Sequence, residues 1–247
     1  MSLQAQYQQR KARASARMAA IVAAGQEIGP LPPVADPGRR QAADTSFRLF
    51  CESYFPLLFH LPWSPDHLRV IAKVEQAVLH GDQFAVAMPR GFGKTTLCQI
   101  ATVWALLTGR HSFVFLLAAT AEFADAALAN LKTHLSANPL LLEDYPEAVY
   151  PVHRLEGESR RCNGQRYYGR LTQIGWTADQ IVLPTIPGSR CSGAIVRTSG
   201  LLGSVRGALH IQPDGRAVRP SLAIIDDPQT DQSAKSFLQV QERLSVI

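Results

Sequence analysis

The stretch Met88-Pro89-Arg90-Gly91-Phe92-Gly93-Lys94-Thr95 limits what this chain can fold into more than any other part of it. It follows an apolar run, Phe84-Ala85-Val86-Ala87, and leads into a helical pattern, so the predicted order is strand, glycine turn, helix. In such a turn the glycines let the backbone fold tightly. Successive N–H groups can then converge on phosphate oxygens, and the dipole of the following helix adds positive potential. Lys94 would reach the β- and γ-phosphates. The Thr95 hydroxyl would complete the shell of a Mg²⁺ ion, a hard cation that takes oxygen ligands and keeps several waters. The usual pattern, G-x-x-x-x-G-K-[ST], opens on glycine, and Met88 stands in that place here. Taken alone, the match leaves a chance glycine turn open.

A second element strengthens the first. Leu222-Ala223-Ile224-Ile225 runs into Asp226-Asp227-Pro228, an apolar strand pattern ending in two carboxylates. This is the partner that a phosphate loop needs: Asp226 to hold Mg²⁺, directly or through water, and Asp227 to orient or deprotonate an attacking water. By itself the triplet reads first as an acidic turn closing a strand. Its position after the loop, on a strand without internal charge, favours nucleotide binding.

Composition narrows the class. A chain of 247 residues can bury one sizeable core, so a single domain with additions is expected. No apolar run approaches the roughly 18 residues of a membrane span, and the N-terminus lacks the apolar core of a secretory signal. Cys51, Cys98, Cys162 and Cys191 are widely separated and form no C-x-x-C pair, which indicates neither zinc nor a disulfide framework and fits a reducing cytoplasm. The net charge is +5, and its placement says more than its size. Between Pro151 and Pro220 there are ten arginines, no lysine and four acids. Arginine suits bidentate phosphate contacts, so this segment reads either as a nucleic-acid face or as a solvated basic surface, with one arginine serving a neighbouring subunit.

Along the chain, Gln4 to Ala24 reads as a basic helix with a stripe made mostly of alanine, followed by the breaker Gly29-Pro30-Leu31-Pro32-Pro33. Residues 1–40 are therefore assigned to a basic helix and Pro-rich linker, and 41–247 to the main domain. Phe47, Phe50, Tyr54 and Phe55 are expected in the core. Ser64-Pro65 starts a helix that runs to about His80 and is ended by Gly81, with His67 either touching an adenine base or acting as a packing and capping residue. Thr95–Leu107 and Ala121–Leu135 read as helices around a buried strand, Phe113–Ala118, which predicts a mostly parallel sheet with helices on both faces. From Tyr150 to Ala217, short alternations, many glycines and the turn Pro213-Asp214-Gly215 predict hairpins beside the sheet.

These motifs, in this order, resemble the ATPase domain of the large terminase subunit, the motor that packages double-stranded DNA into phage capsids. The residues that carry the resemblance are Asp66-His67, the run from Met88 to Thr96, the glycine-rich Gly200-Leu201-Leu202-Gly203-Ser204-Val205-Arg206-Gly207, and Asp226-Asp227-Pro228-Gln229-Thr230. The resemblance implies a three-layer α/β/α P-loop NTPase with a mostly parallel central sheet, an N-terminal helical extension and a β-rich basic insertion. It implies that ATP is held by Arg90, Gly91, Phe92, Gly93, Lys94, Thr95 and Thr96, and Mg²⁺ by Thr95 and Asp226. Asp227 takes the place of the catalytic carboxylate, where many related motors carry glutamate. Arg90 becomes a charge-stabilising arginine supplied in cis, its alternative being a salt bridge that shapes the loop. Lys94 completes the catalytic set. Expected partners are double-stranded DNA, a portal, a small terminase subunit and further copies of the chain in a ring, in the host cytoplasm with no membrane. The family's coupling motif and nuclease domain would lie beyond Ile247, so the resemblance implies an N-terminal portion of a longer protein or a truncated product. The rivals are a helicase-like DNA-remodelling ATPase, a GTPase, for which no Asn-Lys-x-Asp motif is present, and a non-hydrolysing nucleotide-binding assembly or DNA-binding module.

Overall fold

The computed structural model describes residues 3–24, 27–203, 207–212, 214–230 and 233–244. The elements in chain order begin with four helices, α1 (Leu3–Ala24), α2 (Pro37–Thr45), α3 (Phe47–Tyr54) and α4 (Pro65–His80), followed by α5 (Lys94–Leu107) and strand β1 (Phe113–Ala118). Next come α6 (Ala121–Ala137), α7 (Pro139–Asp144) and α8 (Pro146–His153). The short strands β2 (Arg166–Tyr167), β3 (Arg170–Leu171), β4 (Gly175–Trp176) and β5 (Gln180–Val182) precede β6 (Ile195–Gly200). β7 (His210–Ile211), β8 (Ala217–Val218), β9 (Leu222–Asp226) and α9 (Phe237–Leu244) complete the order.

Five strands form a mostly parallel central sheet in the order β4-β5-β6-β1-β9, flanked by helices. β6, β1 and β9 run parallel, and their register sets Ala118 opposite both Gly200 and Asp226. β4 and β5 add to the β6 side in antiparallel sense, so this hairpin extends the sheet rather than lying beside it. β2–β3 and β7–β8 are separate antiparallel pairs. Gly215 turns the second with φ 84°, while Pro213 of the expected turn lies outside the described residues.

Every residue of β1 is buried, as expected of a run of six apolar residues with a strand on either side, β6 and β9. Val114, Leu116 and Val196 join α5 and α6 in the main core, with Ile100, Trp104, Leu128 and Leu131 among its members. Phe115 and Leu117 point the other way, as the two-residue period of a strand requires, and pack with Leu201, Ala208 and Ile225.

The expected aromatic cluster forms. Phe47, Phe50, Tyr54 and Phe55 are all buried, and Phe47 lies 5.3 Å from Trp104, whose indole N–H donates to Ala43 O. An ionic network that sequence patterning did not reveal fastens the start of the domain to α7 and α8. Arg39 Nε donates to the buried Asp144 at 2.6 Å, joined by the Tyr54 hydroxyl at 2.8 Å and the Asp36 N–H at 2.9 Å, while Arg40 pairs with Glu147. Burial pushes the Asp144 carboxyl upward, but these donors outweigh it and hold the group below the ordinary carboxylate range. Position 40, the expected end of the linker, therefore falls inside α2 and is bound to the body of the fold.

One expected strand does not form. Residues 81–89 have no regular structure, and Phe84 and Val86 are 37% and 38% exposed. A strand persists when its ladder bonds are made and one face is buried. β9 pairs with β1 alone among the described residues, and Phe84–Ala87, with two alanines in four positions, has little apolar surface to dock without a neighbour.

Candidate phosphate-binding site

α4 approaches the glycine turn first. Ser64 caps the helix by accepting the His67 N–H, and Gly81 ends it with φ 74°. The His67 ring makes a second pair of contacts: Nδ1 lies 2.7 Å from Ser64 Oγ, and Nε2 lies 3.2 Å from Phe92 O. A carbonyl can only accept, so Nε2 carries the proton and Nδ1 accepts from the Ser64 hydroxyl. The ring also stacks on Phe92, with centroids 5.5 Å apart and planes inclined by 17°, and meets Trp63 edge-on. His67 is thus a strut between α4 and the glycine turn, with both nitrogens engaged inside the protein.

The turn itself has the backbone that its glycines predict. Gly91 and Gly93 adopt φ 83° and 70°, in the left-handed region that favours glycine. Gly93 is the N-cap of α5 and supplies no side-chain acceptor, so no side chain caps the first N–H groups of this 14-residue helix. Such an end attracts anions. Lys94 opens the helix and folds back, its ammonium donating to Met88 O at 2.7 Å. Thr95 and Thr96 complete the first turn, with Thr95 exposed and Thr96 half-buried. Arg90 is exposed at the start of the turn.

The fold brings the acidic pair to this place although it lies more than a hundred residues downstream. α5 packs on β9, and the Asp226 carboxylate at the end of that strand lies near enough to the Thr95 hydroxyl and the Lys94 ammonium for both to favour its charged form. Burial raises the Asp226 pKa above the ordinary carboxylate value and the neighbouring Asp227 raises it further, while the nearby Thr95 hydroxyl and Lys94 oppose the rise. Asp227 is exposed with φ 47°, a left-handed conformation that aspartate tolerates better than most side chains and that the following Pro228 makes less accessible still. A non-glycine residue held this way at the end of a strand is local strain, of the kind that clusters at functional sites.

Two neighbours of the pair escaped the sequence reading. Cys98, one turn after Lys94, has its thiol pushed up to about 12, first by burial and then by Asp226. The spacing from Lys94 made it legible. Arg243 of α9 left no such signal. It is buried, and its Nη1 donates to Pro228 O at 2.6 Å and to Ala119 O at 3.2 Å, tying α9 to the chain just beyond β9 and β1.

The glycine-rich stretch from Gly200 lies at the same carboxyl edge of the sheet. A Cβ on Gly200 would lie 2.8 Å from Ala121 N, so only glycine allows the end of β6 to approach the start of α6 this closely. Leu201 N then donates to Ala118 O at 2.8 Å. Ser204, Val205 and Arg206 lie outside the described residues.

Among the described arginines between Pro151 and Pro220, four stand in ion pairs: Arg161 with Glu156, Arg190 with Asp44, Arg197 with Asp179 and Arg216 with Asp214. Asp44 comes from α2, a neutralisation that a local charge count misses.

The donor set suits a magnesium nucleotide. Among the described residues no group of three or more His, Cys, Asp or Glu could hold a metal ion. One hydroxyl and one carboxylate close together, beside an ammonium and an uncapped helix start, offer part of an oxygen shell that phosphate oxygens and water would complete. All four cysteines are free, and no helix among the described residues is long and apolar enough to cross a membrane. In class, fold and site together describe an α/β protein with a candidate anion and cation site at the carboxyl edge of its sheet. Comparisons with models of protein families, with curated proteins and with solved structures find no match.

Proposed function

We propose that this chain is a P-loop ATPase of three-layer α/β/α type, the motor domain of a terminase large subunit that hydrolyses ATP with Mg²⁺ to package double-stranded DNA. The observation that carries the reading is the packing of α5 on β9, which brings Asp226 near Thr95 and Lys94 and so joins the two motifs that phosphate-loop chemistry requires. In this reading the backbone from Gly91 to Thr95 and the Lys94 ammonium bind the phosphates, and Thr95 and Asp226 hold the metal. A bound Mg²⁺ supplies charge neutralisation at the transferring phosphoryl group. Asp227 orients the attacking water, and Arg90 stabilises charge in the transition state. His67 fixes the loop from the side of α4. The DNA, portal, small-subunit and ring contacts of such a motor, and its place in the host cytoplasm, belong to the same proposal.

Phosphate release with and without duplex DNA tests it. Lys94→Ala is expected to abolish turnover, and Asp227→Asn to keep ATP binding while stopping hydrolysis. Normal turnover in the Asp227→Asn protein refutes the catalytic assignment. Nucleotide binding without any phosphate release would instead favour a non-hydrolysing assembly module.

A further inference from the structure

The fold joins two basic segments that are far apart in sequence. α1 carries Arg10, Lys11, Arg13 and Arg17 and no carboxylate. It packs on the 3-10 turn Ser159–Cys162, where the Arg160 guanidinium reaches Met18 Sδ at 3.0 Å. Arg10, Arg13 and Arg17 are spaced three and four residues apart and so share one stripe, about 10 Å long at 1.5 Å per residue. All three are exposed.

The turn contributes further cations. Arg154, Arg160, Arg161, Arg166 and Arg170 fall within residues 154–170, where the carboxylates in sequence are Glu156 and Glu158, and Glu27 joins them from before the segment, accepting from Tyr168 N and Gly169 N beside Arg166. Glu156 is occupied by Arg161, and Glu158 accepts the Arg160 N–H as the cap of the turn. Further along the stretch, Arg190, Arg197 and Arg216 each have an aspartate partner. Positive charge is therefore concentrated where α1 meets the Ser159–Cys162 turn.

We propose that α1 and this turn form one docking surface for the phosphate backbone of duplex DNA. Guanidinium groups on a rigid helix at regular spacing suit a rod of evenly spaced phosphates, and their charge attracts it at range. The proposal deepens the motor reading by giving its polymer a surface, and it is tested without nucleotide so that the two can fail separately.

The test is anisotropy of a short labelled duplex titrated with the full chain across a salt series. Each phosphate contact contributes about 0.9 to the slope of log affinity against log salt. The combined variant Arg10→Gln, Arg13→Gln, Arg17→Gln, with helicity checked by circular dichroism, is expected to make the slope shallower by roughly 3. Arg160→Gln, which leaves α1 intact, is expected to lower it by about 1. Arg216→Gln should leave it unchanged. An unchanged slope in the triple variant overturns the proposal, as does a wild-type chain that adsorbs to phosphatidylserine vesicles but not to the duplex. Duplex binding of the expected kind by a chain that takes up no nucleotide keeps this surface and removes only the motor reading.

Discussion

Replacing Arg243 with methionine should loosen the acidic strand end by an amount that its hydrogen bonds define. The guanidinium donates to Pro228 O and Ala119 O, and it is 8% exposed, so water replaces it poorly. Hydrogen bonds from a charged donor contribute about 1.5–3 kcal/mol each. The buried Nε has no partner, which subtracts from that gain. A net loss of about 3 kcal/mol follows, and for a domain of this size each kcal/mol moves the melting temperature by roughly 2–4 °C. Thermal unfolding followed by circular dichroism should thus show a fall of roughly 6–12 °C. Arg243→Lys, which keeps the charge but loses the planar fork, should fall between. Because Pro228 follows the acidic pair, the methionine variant should also need more Mg²⁺ to reach half-maximal phosphate release. A melting temperature within a degree or so of wild type would refute the idea that this arginine supports the loop.

Two other expectations concern the frame around the site. Gly200→Ala forces a Cβ to within 2.8 Å of Ala121 N and should cost about 1–3 kcal/mol by overpacking, measured by urea unfolding; an unaltered midpoint would mean that β6 and α6 separate freely. Asp144 has a folded pKa below its unfolded one, so its stabilisation is complete above the unfolded value of about 3.9 and is lost as pH falls through the folded value. Arg39→Gln should therefore lower stability at neutral pH and flatten the acid limb of the urea midpoint against pH, and superimposable limbs would count against the clamp.

Much of the frame could be read from local pattern. The α4 boundaries follow from Ser64-Pro65 and Gly81, and the full burial of Phe113–Ala118 from its unbroken apolar run. Glycine spacing predicted the turn at 91–93, and strand chemistry predicted Asp226 at a strand end. What escaped depends on partners far along the chain. Phe84–Ala87 has strand composition, yet a strand needs a neighbour, and no local signal reports whether one is available. Arg39 finds Asp144 across 105 residues and Arg190 finds Asp44 across 146, so a charge count over one segment cannot show which cations are already neutralised. Arg243 finds Pro228 O only because α9 packs beside the end of β9, a placement that no local pattern encodes.

The central claim is that Lys94, Thr95 and Asp226 together hold a magnesium nucleotide. Calorimetric titration of the chain with ATP, with and without Mg²⁺, tests it most directly. Saturable binding is expected that needs the metal, is lost in Lys94→Ala and loses its metal dependence in Asp226→Asn. Absence of binding to the wild-type chain, or equal binding by the Lys94→Ala protein, would contradict it.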